Sequence, residues 1–397
     1  MRFTRLRLEN WRNFTELDLQ LQQRVFLVGP NAAGKSNLLD AFRFLRDIAE
    51  PQGGLVRAVN HPNRRGISQI RSLHARRQPN VVVDVEVELP PSASRRKASG
   101  NGSGQSSTKG DTWRYRLELG QDNQRRPMVR RELVERGGQK LLDRPDEKDR
   151  EDEERLTQTY LEQVNANQSF RSLADAFSRI RYLHLVPQLV REPERSLGRS
   201  RDPFGGDFLE QLARTPEKTR TVRLGKIRDA LEVAVPQLKE LKLERDERGI
   251  PHLKGRYEHW RPNAGWQTEE QFSDGTLRLL GLLWVFLDGR EPLLLEEPEL
   301  SLHTGVVRHL SQIFFRLGRT SGRQLLISTH SRDLLNDPGI GADEIVLLVP
   351  AKEGTQATLG TGDTQICDLL EAGLAPADAV LAATEPKRME QLLLFPT

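Results

Sequence analysis

A single cysteine, Cys367, stands among 397 residues. That excludes an intramolecular disulfide and a cysteine-built zinc site, and the thiol is expected to be buried and inert. No run of eighteen or more apolar residues occurs, so no helical membrane span and no membrane partner are expected. Residues 1–8 alternate charged and apolar side chains, unlike the apolar core of a signal peptide, and a cytoplasmic protein is the expectation. The absence of a long heptad stretch and of internal repeats excludes a coiled-coil arm and a solenoid. Nor does either charge dominate: 60 Lys plus Arg face 56 Asp plus Glu, a net charge of +4, which gives no mandate for nucleic acid. The charges are nevertheless unevenly placed. Residues 57–77 hold six arginines (57, 64, 65, 71, 76, 77) and no acid, whereas residues 143–154 are strongly acidic. Both runs read as solvated loops, and the basic one is the first candidate for contact with a DNA backbone.

What is present is an α/β pattern; 36% hydrophobic residues suffice for a packed core. Residues 1–21 predict two strands, 24–28 a buried strand, and 36–48 a helix with Leu38, Leu39, Phe42 and Leu45 on one face. Strands are expected at 81–89 and 113–119, joined by a Ser/Gly/Lys/Arg-rich segment, 90–110, that reads as a flexible hairpin tip. Helices are expected across 156–180, at 208–212 and at 219–235, and strands at 182–186, 238–245 and 253–260. From Gly275 onward helices alternate with apolar strands at 292–295, 324–328 and 344–349, the pattern of a sheet buried on both faces. One core is therefore expected from 1–80 and 265–350, with a mixed α+β insertion at 81–264 and an extension at 351–397.

Gly29-Pro30-Asn31-Ala32-Ala33-Gly34-Lys35-Ser36 fits G-x-x-x-x-G-K-[ST] between a strand and a helix. In such a loop backbone N–H groups curl around phosphate oxygens and the helix N-terminus adds partial positive charge. Lys35 is placed to reach β and γ phosphates, and Ser36 to offer its hydroxyl to Mg²⁺. The apolar strand at 292–295 ends in Glu296 and Glu297, beside the loop at the carboxyl edge of the sheet. Glu296 is then the candidate for the metal's water shell and Glu297 for polarising an attacking water. ATP and Mg²⁺ are the cofactors these residues imply.

Two further segments narrow the class. Phe272-Ser273-Asp274-Gly275-Thr276-Leu277-Arg278 precedes the acidic strand, and Ile327-Ser328-Thr329-His330-Ser331 follows it. With these, the chain resembles the ABC-type ATPases of the SMC, RecF and OLD (overcoming lysogenization defect) group. The resemblance implies an ABC/RecF-like P-loop ATPase core in which residues 272–278 are the signature motif, His330 the switch histidine and 299–303 the D-loop. Glu9-Asn10-Trp11-Arg12-Asn13-Phe14 resembles the RecF-like opening, whose arginine and asparagine lie near nucleotide, here Arg12 and Asn13. Glu296 replaces the usual aspartate, Asp274 replaces a signature glycine, and Gln69 is the candidate Q-loop glutamine. In this class ATP is held between the P-loop of one subunit and the signature of another, which implies a homodimer with Ser273, Asp274 and Gly275 acting in trans. OLD proteins add a Toprim nuclease with an Asp-x-Asp pair, and none occurs here. The resemblance is therefore to the ATPase subunits of bacterial anti-phage systems, where a separate nuclease or toxin acts. A RecF-like repair ATPase and the ATPase subunit of a transporter are the alternatives. Gln391-Leu392-Leu393-Leu394-Phe395 resembles a sliding-clamp docking peptide, with burial against the protein's own core as the plainer reading.

Overall fold

A computed structural model describes residues 1–75, 79–90, 111–196, 202, 204–261 and 265–384. Arg76, Arg77, most of the 90–110 segment and the Gln391–Phe395 tail lie outside the described residues. The central sheet runs β15 (Gly354–Leu359), β14 (Ile345–Ala351), β3 (Arg24–Val28), β13 (Leu325–Thr329), β12 (Leu293–Glu296) and β8 (Arg181–Leu183). All neighbours are parallel except β14 and β15. Its inner strands are buried on both faces: Val25, Leu27, Leu294, Leu326 and Val346 enter one apolar core, and Phe26, Val28, Leu295, Ile327 and Leu347 another. That two-sided burial is why these segments read as unbroken apolar runs.

The first core is closed by helix α1 (Lys35–Ala49), helix α2 (Arg171–Ser178) and an antiparallel sheet. That sheet runs β2 (Phe14–Gln20), β1 (Arg2–Trp11), β4 (Val81–Leu89), β5 (Asp111–Gln121), β6 (Pro127–Arg136) and β7 (Gln139–Arg144). Gln324, fully buried, ties the two sheets together. Its amide accepts from Phe3 N (2.8 Å) and donates to the carbonyls of Phe3 (2.7 Å) and Gln22 (2.8 Å). On the other face, α3 (Asp274–Leu287) and α4 (Thr304–Ser321) contribute Val285, Phe286, Val307, Leu310 and Phe314 to the second core. The opposite side of α3, with Leu277, Leu280 and Trp284, packs in a third core with the helices at 208–231 and a sheet ordered β11 (Trp266–Thr268), β10 (Pro251–Tyr257), β9 (Leu238–Arg245). No helix among the described residues is long and apolar enough to cross a membrane.

β4 pairs with β1 along its length, so one sheet runs across the 80/81 position, and β8, from within 81–264, pairs with β12 of the central sheet. Four strands are absent from the sequence expectation: β11, β15 and the hairpin pair β6 and β7. Gly137 and Gly138, both at positive φ (55° and 83°), form the turn between β6 and β7, and this pair was the available signal. The helical expectation for 156–180 holds only for Arg171–Ser178. Upstream of it the N–H groups of Tyr160 (2.8 Å) and Leu161 (3.1 Å) donate to the carboxylate of Glu132, which withdraws them from any helical ladder.

Most of the acidic run is exposed, as its composition implies, but two of its residues are not. Arg144 and Asp149 are buried with Glu132, and Arg144 donates to Asp149 (2.8 and 2.9 Å) and to Glu132 (3.3 Å). Charges this deep persist only when paired and hydrogen-bonded. Arg144→Met, which leaves buried Glu132 without its cation and buried Asp149 with Arg155 alone, is expected to cost about 3–5 kcal/mol in urea denaturation. A loss under about 1 kcal/mol would show that water or other groups satisfy them.

Candidate nucleotide site

The loop between β3 and α1 turns through left-handed backbone at Ala32 (φ 64°) and Gly34 (φ 97°). A β-carbon on Gly34 would stand 2.1 Å from the Asn13 amide nitrogen, so glycine is required by both backbone and space. Asn13 fastens the loop. Its amide donates to the carbonyl of Ala33 (3.0 Å) and the hydroxyl of Thr355 (2.6 Å), and it accepts from Asn37 (2.7 Å). Asn31 to Asn37 and Glu297 line an open cavity of about 310 Å³. Lys35 reaches back across the loop to the carbonyls of Gly29 (2.8 Å) and Pro30 (3.2 Å). Burial draws its ammonium below the usual lysine range, opposed by attraction to Glu297, Glu299 and Glu296. α1 carries no acidic residue in its first turn, leaving its N-terminal partial charge free for an anion.

The acids arrive from β12. Glu296 accepts a hydrogen bond from Ser36 Oγ on one carboxylate oxygen and from Tyr182 OH on the other. Tyr182 lies on β8 opposite Leu294, and its phenol is pushed above its ordinary value by burial and then by the Glu296 charge. Glu297 leaves the strand at φ 44° and its Oε1 lies 3.1 Å from His330 Nδ1. Thr329 Oγ1 donates to Glu299 (2.5 Å), whose carboxyl is raised by burial. The hard oxygens of Ser36 and Glu296, already in contact, suit Mg²⁺, which takes one or two protein ligands and completes its octahedron with phosphate and water.

Lys35, Ser36, Glu296, Glu297 and His330 are therefore brought together. The residues that the resemblance assigns to a signature motif are elsewhere. Ser273 caps α3, accepting from Thr276 N (3.1 Å), and is exposed. Asp274 pairs with Arg191 (2.6 Å), and Gly275 packs where a β-carbon would lie 2.6 Å from the Ser301 carbonyl. None of the three lines the cavity. Arg12 also turns away from it, donating to Asn63 O (2.6 Å) and to Asp40 (3.4 Å). Gln69 is exposed. Arg64, proposed from the sequence to touch nucleic acid, is wholly buried and bonds Asp40 (2.7 and 2.9 Å) and Asp47 (2.8 Å). It is an internal strut behind α1, because α1 places two acids on that face that only a buried cation can satisfy. Tyr182 was missed: in the sequence it is one aromatic on an apolar strand, 114 residues from its partner.

A family model described as "AAA domain, putative AbiEii toxin, Type IV TA system" matches residues 24–336. The chain belongs to this AAA-domain family. A second AAA-domain model matches residues 1–46. The DNA replication and repair protein RecF of Roseiflexus castenholzii is 45% identical over 60 residues, 15% of each protein, so the matched stretch spans under a sixth of that relative. A crystal structure of an SMC head bound to the C-winged helix domain of ScpA aligns with a TM-score of 0.52 at 12% identity, covering 90% of this chain and 98% of that one. The fold of this AAA-family protein is thus that of SMC- and RecF-like P-loop ATPases.

Gly34→Ala is expected to destabilise the protein by about 1–3 kcal/mol or more, from the left-handed backbone and the clash together. On an Asn13→Ala background the same change should cost less, since the clashing amide is gone. Equal costs on both backgrounds, by chemical denaturation, would show that Asn13 does not set the constraint.

Proposed function

We propose that this AAA-family protein binds Mg²⁺-ATP at the loop 29–36, hydrolyses it, and dimerises around it to control a separate effector, a nuclease or toxin, in anti-phage defence. The observation that carries the catalytic part is the convergence of Lys35, Ser36 and Glu297 on one cavity, with Glu296 bonded to Ser36 and His330 to Glu297. The loop amides and the α1 N-terminus would hold the phosphates, with Lys35 exchanging its two carbonyl partners for β and γ oxygens. A bound Mg²⁺ would neutralise charge on the phosphates. Glu297, open to the cavity, would accept the proton of an attacking water, and His330 fixes the direction of that carboxylate.

Ser273, exposed and not among the residues lining this cavity, supports completion of the site by a second copy. The family description supports the defence reading, since it names an AbiEii-type toxin system. A RecF-like role in DNA repair is the second reading, supported by the 60-residue match at 45% identity. ATP-dependent DNA binding by the protein alone would favour it, and co-purification of a nuclease or toxin would favour the first.

Glu297→Gln is expected to retain ATP affinity while turnover falls by about 10²–10⁴-fold, because the phosphate contacts survive and the base does not. Lys35→Ala should instead weaken binding. Both are read from equilibrium nucleotide binding and steady-state hydrolysis. Wild-type turnover in the Glu297→Gln protein would move the base elsewhere, with Glu296 or His330 next.

A further inference from the structure

Glu296 stands where a shorter aspartate is usual for this class, and its surroundings give the extra methylene a purpose. One oxygen is taken by Ser36 at the start of α1, the other by Tyr182 on β8. These two donors approach from different elements, and the carboxylate spans them. Tyr182 is itself held: the Arg43 guanidinium lies over its ring at 4.2 Å, and Arg43 is buried near Asp40 (3.9 Å). His184, two residues along, places Nδ1 3.3 Å from the Glu296 carbonyl. The acid is thus gripped at both carboxylate oxygens and at its main chain.

We propose that Tyr182 is a positioning residue for the metal-associated carboxylate. Its hydroxyl fixes the second oxygen of Glu296, so that Ser36 and Glu296 present one preset pair of oxygens to the metal of Mg²⁺-ATP. A carboxylate bonded only through Ser36 could rotate about its terminal torsion, and an aspartate in its place would be too short to keep both partners. Tyr182 acts through Glu296 and has no role in binding the phosphates. This inference rests on the assignment of the site to Mg²⁺-ATP.

The test is Tyr182→Phe, which keeps the ring and its stacking on Arg43 while removing the hydroxyl. Binding of a fluorescent ATP analogue is titrated with excess EDTA and again with Mg²⁺. Wild-type protein should bind more tightly with Mg²⁺. The Phe variant should keep the metal-free affinity and lose much of the Mg²⁺-dependent gain, with the half-saturating Mg²⁺ concentration rising about 10-fold or more, as is typical when a group orienting a metal ligand is removed. At saturating Mg²⁺, kcat should fall with little change in KM for ATP. On a Glu296→Asp background, the Tyr182→Phe change should add nothing further. A Phe variant with the full Mg²⁺-dependent gain, or an effect undiminished on the Asp background, overturns the role of Tyr182 alone. A wild-type protein that shows no Mg²⁺-dependent gain overturns the site assignment with it.

Discussion

The contact between Ser36 Oγ and the Glu296 carboxylate joins the first residues of α1 to the end of β12. β13 lies between β3 and β12 in the sheet, so this bond bridges over a strand and cannot form unless three parallel strands end level. The registers show that they do: Glu296 stands opposite Ser328, and Ser328 and Thr329 stand opposite Leu27 and Val28. From that shared edge the loop at 29–34, the turn at Glu297 and the turn at His330 all leave on the same side. The chemistry of the site is a consequence of a flush sheet edge.

Much of the remaining structure keeps that edge fixed. Asn13 links the phosphate loop to β15 through Thr355, and Gln324 stitches the start of β13 to β1. Behind α1, Arg64 is clasped by Asp40 and Asp47, while Arg43 covers the ring of Tyr182. Such buried ion pairs add little net stability over an apolar core. Their directional demand holds α1 in one rotation, and α1 carries Lys35 and Ser36. The left-handed backbone at Ala32 and Glu297 is local strain of the kind a rigid surrounding holds in place at a functional site.

The central strands were legible because burial on both faces leaves an apolar run. The loop at 29–36 was legible because glycines and a lysine at that spacing, set between a strand and a helix, suit a phosphate and little else. Ser273 and His330 stood out only as parts of an ordered set. What the sequence hid were partnerships over long separations. Arg64 looked like one more cation in a basic loop, since nothing local reveals Asp40 and Asp47 beneath it. Arg144 and Asp149 sat in an acidic run whose composition implies solvent, and Glu132, which holds the N–H groups of Tyr160 and Leu161, gave no local sign at all. β6 carries charges on a sheet with an unclean alternation, so its period of two was blurred, although Gly137-Gly138 marked its turn. Tyr182 shows the same limit at the site itself: a hydroxyl whose meaning depends on a carboxylate more than a hundred residues away.

The central claim is that this chain holds half of a nucleotide site, the other half being Ser273 and its neighbours on a second copy. The most direct measurement is ATP hydrolysis by mixtures of two inactive proteins, Lys35→Ala and Ser273→Arg, across mixing ratios. Each mixed dimer would contain one site built from an intact phosphate loop and an intact signature. Activity should return in part and peak near equal proportions. Mixed dimers that form, as shown by differently tagged copies, yet remain as inactive as either parent would contradict the account.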